Sequence, residues 1–282
     1  MHTDRPERRS NGGTLVLSVG GSLLIPKEQG RPDRDFIARF ADLIVRERQR
    51  WRKIILVCGG GAVARLYIDA AREILEELRA LPKADDRRWT NAQHWIGIHA
   101  TRLNAQLVKV VFEMLRPLRP YAHRIVLKDP NHIPQQALTS PRRIILAAGS
   151  KPGWSTDYVA VRLAEVFGAQ TVVNLTNVDY VYDRDPKLDG AKRLQEVTWE
   201  EYFRYFPKPE FRPGDNVPFD PIAARLAAER KMRVIALKGS SVPNLERFLR
   251  GGPYQDHFKG TVIGGRARRG NGQQEYPRGD AS

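Results

Sequence analysis

Apolar positions along this chain fall into short continuous runs that alternate with longer stretches of helical period. Runs rich in Val, Leu and Ile at 14–19, 53–58, 125–128, 144–147, 171–175, 233–237 and 260–263 have the length and branched content of buried strands. Between them, apolar residues recur every three or four positions at 36–50, 62–81, 91–115, 156–167, 218–230 and 244–250, which predicts helices. Gly168 directly follows the fourth of these and marks its exit.

Strands alternating with helices predict βαβ units, and so a mainly parallel sheet covered on both faces. The pattern is continuous from 14 to 264, with no Gly/Ser linker, and is read as one domain between a basic N-terminal tail (1–13) and a C-terminal tail (265–282), both flexible. In such folds ligands bind beyond the carboxyl ends of the strands, so the strand-to-loop junctions are where chemistry is sought.

Composition changes this picture little. The chain has 282 residues, enough for a substantial core, and one cysteine, Cys58. A single cysteine excludes an intrachain disulfide framework and a Cys-based zinc site, and favours a reducing compartment. The N-terminus is polar and no stretch approaches the ~18 apolar residues of a membrane span, so a cytoplasmic location with no membrane partner is expected. The formal charge of +15 calls for an anionic ligand or nucleic acid, but part of it lies in the terminal segments "RPERR" and "RARRG". No zinc-finger or RRM signature accompanies it, which argues against nucleic acid.

Four strand ends carry the candidate chemistry. In "LSVGGSLLIP", Gly20 and Gly21 form either a tight turn or a loop whose N–H groups, with the Ser22 hydroxyl, reach a phosphate. In "IILVCGGGAVARLYI", Gly59, Gly60 and Gly61 precede a helix whose N-terminus suits an anion, with Arg65 one turn inside. Gly59, Gly61 and Ala64 also fit a dinucleotide pattern, but that needs a second strand ending in an acidic residue about 20 residues on; "PKADDRR" stands there instead. No Walker A loop occurs. In "ILAAGSKPGWSTDYVAVRLA", Lys151 lies in a Gly- and Pro-rich loop, and Ser155 or Thr156 caps the following helix, with Asp157 in its first turn. In "VVNLTNVDYVYDRDPK", a buried strand releases Thr176, Asn177 and Asp179, followed by Tyr182; this is either a polar turn or a grip for a purine and its ribose.

Taken together and in this order, "VGGSLLIP", "GGGAVARLYI", "WIGIHATRLNAQL", "GSKPGWSTDYVAVRLAE" and "TNVDYVYDRDPK" resemble the amino acid kinase superfamily, and within it the archaeal-type uridylate (UMP) kinases. The similarity spans roughly 14 to 264. It implies a three-layer αβα sandwich around a mainly parallel eight-stranded sheet, transfer of the γ-phosphoryl group of ATP to a small acceptor with Mg²⁺, and a homohexamer. Carried over by motif, Ser18, Val19, Gly20, Gly21 and Ser22 line the ATP phosphates together with Gly60 and Arg65. Thr176, Asn177, Tyr182 and Asp185 hold the adenine and ribose. Gly59, His94 and the loop Ala148, Gly149, Ser150, Lys151, Pro152, Gly153 and Trp154 take the acceptor. Asp157, Lys151 and Arg65, with Arg102 adding charge, form the catalytic centre; no protein metal cluster is implied.

Several positions depart from the family pattern. Ser18 stands where many members have a lysine, although some archaeal-type UMP kinases lack it too. His94 stands where UMP kinases carry an aspartate for the ribose hydroxyls, Tyr180 replaces the usual glycine after "NVD", and Lys151 replaces a common histidine. These leave open other readings: a storage or sensing nucleotide-binding protein, as in the molybdenum storage protein of this superfamily, or a kinase of another acceptor such as isopentenyl phosphate.

Overall fold

The computed structural model describes residues 12–83, 86–115, 120–185, 188–207, 218–251 and 258–265. Most of both expected tails therefore lies outside the described residues. β1 (Thr14–Val19) is buried along its whole length and sits inside the sheet. After a single turn of helix, α1 (Gly21–Leu24), the chain enters α2 (Arg34–Glu47), continued by a 3₁₀ turn at Arg48–Arg50. The helix begins ahead of its apolar pattern because the Asp33 carboxylate accepts a hydrogen bond from the Phe36 N–H at 2.9 Å. β2 (Lys53–Cys58) pairs parallel with β1, and α3 (Gly61–Glu77) follows. α3 stops short of the expected 81, at a turn where Arg79 has φ 52°. α4 (Arg87–Met114) starts at 87 rather than 91, capped by Asp86.

A short α5 (Gln135–Thr139) leads into β3 (Ile144–Ala147), and α6 (Thr156–Val166) leads into β4 (Thr171–Thr176). Beyond β4 lie the small strands β5 (Val181–Tyr182), β6 (Arg193–Leu194) and β7 (Glu196–Val197), then α7 (Trp199–Tyr205), capped by a reciprocal Thr198 and Glu201 box. α8 (Pro221–Glu229), β8 (Arg233–Lys238), α9 (Val242–Gly251) and β9 (Thr261–Ile263) complete the chain. α1, α5, α7 and the strands β5 to β7 carry too few residues for a periodicity to show in the sequence.

The sheet runs β3-β2-β1-β4-β8-β9-β7, parallel except where β9 meets β8, and β5 with β6 forms a separate hairpin. Eight strands are implied by the resemblance; the described residues form seven. The expected strand at 125–128 meets β3 through one isolated bridge, Leu127 to Ala147, with another just before it, Ala122 to Ile144. Period-two alternation assigns the strand residues to opposite layers. Leu15, Leu17 and Val19, with Ile54, Leu56 and Cys58, face α2, α4 and α9 through Phe40, Phe112 and Phe248. Val16, Ile55 and Val57 face α6 and α8 through Val159, Leu163 and Ala224. Ser18 shares parity with Val16 and so is held against α6.

Candidate active site

The strand order reverses between β1 and β4: β2 and β3 lie to one side of β1, β4 and β8 to the other. That switch point is where an open α/β sheet leaves a crevice. A cleft of about 690 Å³ opens there, lined by Ser18, Gly20, Asp157, Asn177, Tyr182 and Asp185 among others. A second cleft, of about 500 Å³, opens beyond β2 and β3 and is lined by Gly60, Arg65, His94, Thr101, Gly149 and Trp154 among others. Thr156, at the N-terminus of α6, belongs to both. A third, of about 580 Å³, joins Ser22 and Asn177 to Arg65 on the outer side of α1. Arg65 is shared by the second and third.

The glycines hold the loops together before they hold any ligand. A Cβ on Gly21 would lie 2.0 Å from the Gly61 nitrogen, one on Gly59 would lie 2.4 Å from the Gly21 nitrogen, and Gly61 adopts φ +63°. The turns after β1 and β2 thus cross backbone to backbone, which no side chain permits. The Gly59 N–H donates to Val19 O at 2.9 Å, and the carbonyls of Gly59 and Gly60 accept from Asn104 Nδ2 at 2.8 and 3.0 Å. Gly59 is accordingly a brace. Gly60 lines the second cleft and is absent from the lining of the first.

The loop after β3 is pinned the same way. Gly149 N donates to Thr101 Oγ1 at 2.7 Å, and Arg102 donates to the carbonyls of Gly149 and Ser150 at 3.4 and 3.1 Å. Arg102 therefore holds the loop, and its positive charge stays at that loop. Val19 and Ala148 are buried, and neither they nor Ser150, Lys151, Pro152 and Gly153 line any of the three clefts. Lys151 rests its ammonium 4.1 Å above the centre of the Trp154 ring, which packs in turn on Tyr158 at 4.7 Å.

Asp157 is the best-connected candidate. Ser18 Oγ donates to its Oδ1 at 2.7 Å, and the Asp220 backbone N–H approaches Oδ2 at 3.4 Å. Removal from water pushes its pKa up to about 6; the Asp220 carboxylate pushes it the same way, against the hydrogen bonds from Ser18 and the Asp220 N–H. Ser155, not Thr156, caps α6, accepting from Tyr158 N at 3.1 Å. Ser22 Oγ donates to Asn177 Oδ1 at 3.2 Å, tying the first loop to the fourth. Tyr180 and Tyr182 flank the buried Val181, so strand alternation turns both toward the first cleft, and Arg193 lies 5.7 Å from the centre of the Tyr180 ring.

Asp220, Thr101, Asn104 and Asn174 were not singled out from the sequence. Asp220 had a signal in "FDPIAARLA", an acidic N-cap before proline, and its Oδ1 accepts from Ile222 N and Ala223 N at 2.7 and 2.9 Å. Asn174, alternating with Val173 and Leu175, had the signal of a polar residue inside an apolar strand; its Nδ2 donates to Pro218 O at 2.9 Å. Thr101 and Asn104 had none, because their partners are backbone atoms remote in sequence.

An α/β sheet whose strand ends carry interlocked glycine loops, with two clefts meeting at one helix N-terminus, defines a protein of the phosphate- and nucleotide-binding kind. Residues 13–237 match the amino acid kinase family, and the chain belongs to it. It is 32% identical over 228 residues to the uridylate kinase of Methanococcus aeolicus, covering 80% of this chain and 91% of that one. It is 30% identical over 256 residues to that of Methanocorpusculum labreanum, covering 90% and 97%. The crystal structure of uridylate kinase from Archaeoglobus fulgidus superposes with a TM-score of 0.67 at 29% identity, over 88% of this chain and 99% of that one.

Proposed function

We propose that this protein transfers the γ-phosphoryl group of ATP to UMP, giving ADP and UDP. The observation that carries the reading is the pair of clefts sharing the N-terminus of α6 at Thr156; the kinship with uridylate kinases supports the choice of UMP. ATP occupies the cleft between β1 and β4, its base beside Tyr182 and its phosphates over Gly20, Gly21 and Ser22. UMP occupies the cleft beyond β2 and β3, its phosphate toward Arg65 and Gly60. An acceptor phosphate oxygen bonds to the γ phosphorus as the bond to the β–γ bridging oxygen breaks, with no net proton transfer. The chain's part is to hold two polyanions in line and to offset their charge. Arg65 makes no hydrogen bond or ion pair among the described residues and is free to turn to either ligand. The partial positive charge at the start of α6 faces the transferring group.

Magnesium fits this centre. No group of three or more metal-ligating side chains occurs among the described residues, but Mg²⁺ characteristically uses one or two carboxylates and the nucleotide phosphates. Asp157 lies beside a second carboxylate, Asp220, which raises its pKa. Asp157, with Asp220 behind it, would hold the ion, and the ion would neutralise phosphate charge where the family lysine is replaced by Ser18.

A homo-oligomer is part of the same reading. α3 buries Ala62 but leaves Leu66 and Tyr67 each 63% exposed and Ile74 55% exposed, an apolar stripe that a second copy would cover. No helix among the described residues is long and apolar enough to cross a membrane, in keeping with a cytoplasmic enzyme.

The test is an acceptor screen with pure protein, ATP and Mg²⁺ against UMP, CMP, AMP and isopentenyl phosphate. UMP-dependent ADP release is expected. Tight ATP binding without turnover on any acceptor would overturn the reading in favour of storage or sensing.

A further inference from the structure

The edge of the sheet opposite the clefts collects basic residues. β1, β2 and β3 run parallel, so their amino ends lie together. At ~3.3 Å per residue over six residues, that edge is about 20 Å from the strand ends that carry the clefts. Three segments meet there, "RQRWRK" (48–53), "YAHR" (121–124) and "SPRR" (140–143), which together hold seven Lys or Arg residues and no Asp or Glu. Hydrogen bonds set them side by side. Arg143 donates to Trp51 O at 2.7 Å, Lys53 Nζ donates to the carbonyls of Ser140 and Arg142, the latter at 3.2 Å, and Arg142 donates to Ala122 O at 3.4 Å. Arg52 donates to Thr14 Oγ1 at 2.8 Å and to Phe167 O at 2.9 Å, and Arg48 lies 4.5 Å from the centre of the Tyr121 ring.

All of these partners are uncharged. Arg48, Arg52, Lys53, Arg142 and Arg143 form no ion pair with a carboxylate among the described residues. Glu47, buried beside them, is taken by Arg50 and Arg250 at 2.6 and 3.0 Å. Part of the cluster has a structural use: Arg48, Arg52 and Lys53 bond carbonyls at the ends of α2, α6 and α5. A helix end carries only about half a negative charge, however, and a whole cation answers each. The surplus is felt inside the cluster, where burial first, and then Arg52 and Arg143, push the Lys53 pKa down. Arg52 is exposed and Arg48, Arg142 and Arg143 are half-buried. Each guanidinium has five N–H donors and uses one or two here, which leaves donors for a ligand.

We infer that this edge docks the phosphate chain of a nucleic acid, on the far side of the molecule from the clefts. Six of the seven cations are arginine, whose planar fork meets phosphate oxygens two at a time. Spread over three segments, they exceed what a single phosphate engages. The aromatic side chains among them are not free to enter a bilayer: Trp51 and Phe167 are buried, and Tyr121 faces Arg48. The expectation against nucleic acid rested on charge in the terminal segments and on missing motifs, whereas this charge lies inside the fold. The missing motifs mean that bases go unread and that contact is with the backbone.

The experiment titrates the full chain into a labelled, mixed-sequence RNA of roughly 20 nucleotides without a terminal phosphate, by fluorescence anisotropy between about 50 and 200 mM KCl. Three or four phosphate contacts give log K against log salt a slope of about −2 to −3. Arg142→Glu with Arg143→Glu should weaken binding at least ~10-fold at the lower salt and flatten the slope by about 1.4, the share of two phosphates. Melting temperature and kcat/KM for UMP are read on the same preparations and should stay close to wild type, because the clefts are about 20 Å away. Arg142→Ala gives up one long hydrogen bond and should weaken binding several-fold, so the inference is tested even where the double variant fails to fold. Vesicles of phosphatidylcholine and phosphatidylserine, about 3:1, serve as the competing anionic surface. An RNA left unbound at the lower salt sinks the inference. So does binding that neither variant changes, which places the contact elsewhere on the chain, and so does tighter binding to the vesicles, which makes the edge a membrane surface. The kinase reading is decided separately, by the acceptor screen.

Discussion

Asp157 pairs its proposed role with a stability cost. Its pKa of about 6 in the folded chain stands above the ordinary 3.8. A carboxyl raised in this way contributes stability when protonated, below about pH 4, and that contribution is lost as pH rises through about 6. At pH 8 the charged group therefore destabilises the fold, on the order of 3 kcal/mol. Asp157→Asn is expected to lower turnover at least ~100-fold while raising the melting temperature at pH 8 by several degrees; calorimetry at pH 4 should show the difference closing. A variant that melts lower than wild type at pH 8 would contradict this account. The same group should set an acid limb near pH 6 in kcat/KM. Ser18→Ala removes the hydrogen bond that opposes the rise, so the limb should move to higher pH; an unmoved limb would assign it to another group.

The turns after β1 and β2 behave as one crossed element, and their glycines are not equivalent to those elsewhere. Gly21→Ala places a methyl 2.0 Å from a backbone nitrogen, so the loops must part. We expect loss of soluble protein, or several kcal/mol of destabilisation. Gly153, with φ +81° and nothing described within 4 Å of an added Cβ, should accept alanine at about 1 kcal/mol, the cost of a left-handed conformation. Urea unfolding of the pair separates steric crossing from conformational preference. The strands and long helices were legible in the sequence because each repeats one period over many residues. Their ends were not: Asp33 and Asp86 start helices earlier than the apolar pattern does, since a cap is a local hydrogen bond and not part of the period. The expected strand at 125–128 is shortened for a related reason: its apolar run is real, but within it only Leu127 bridges to β3.

The exposed stripe along α3 belongs to the molecule as a whole, because no described residue covers it. Leu66→Asp with Ile74→Asp is expected to convert an assembly into monomers of 32.1 kDa, read by sedimentation; a wild type that already sediments as a monomer would remove the stripe's explanation. The sequence alone could mark α3 as amphipathic, and could not say that its apolar side faces away from the core. Only the packing of α2 and α4 over β1 and β2 decides that.

Four glycine- and asparagine-rich strand ends, their order, and the family they belong to were determined by the sequence itself, because each is a local pattern of residue types. Which of them face one another was decided by the tertiary structure. The strand order β3-β2-β1-β4-β8 brings Ser18 to Asp157 across 139 positions and Ser22 to Asn177 across 155. It also sets Gly60 at the second cleft and lays the Arg102 guanidinium on the carbonyls of the loop after β3. Contacts of that kind depend on the order of strands in the sheet and on the parity of each residue along its strand, and those are properties of the assembled layers.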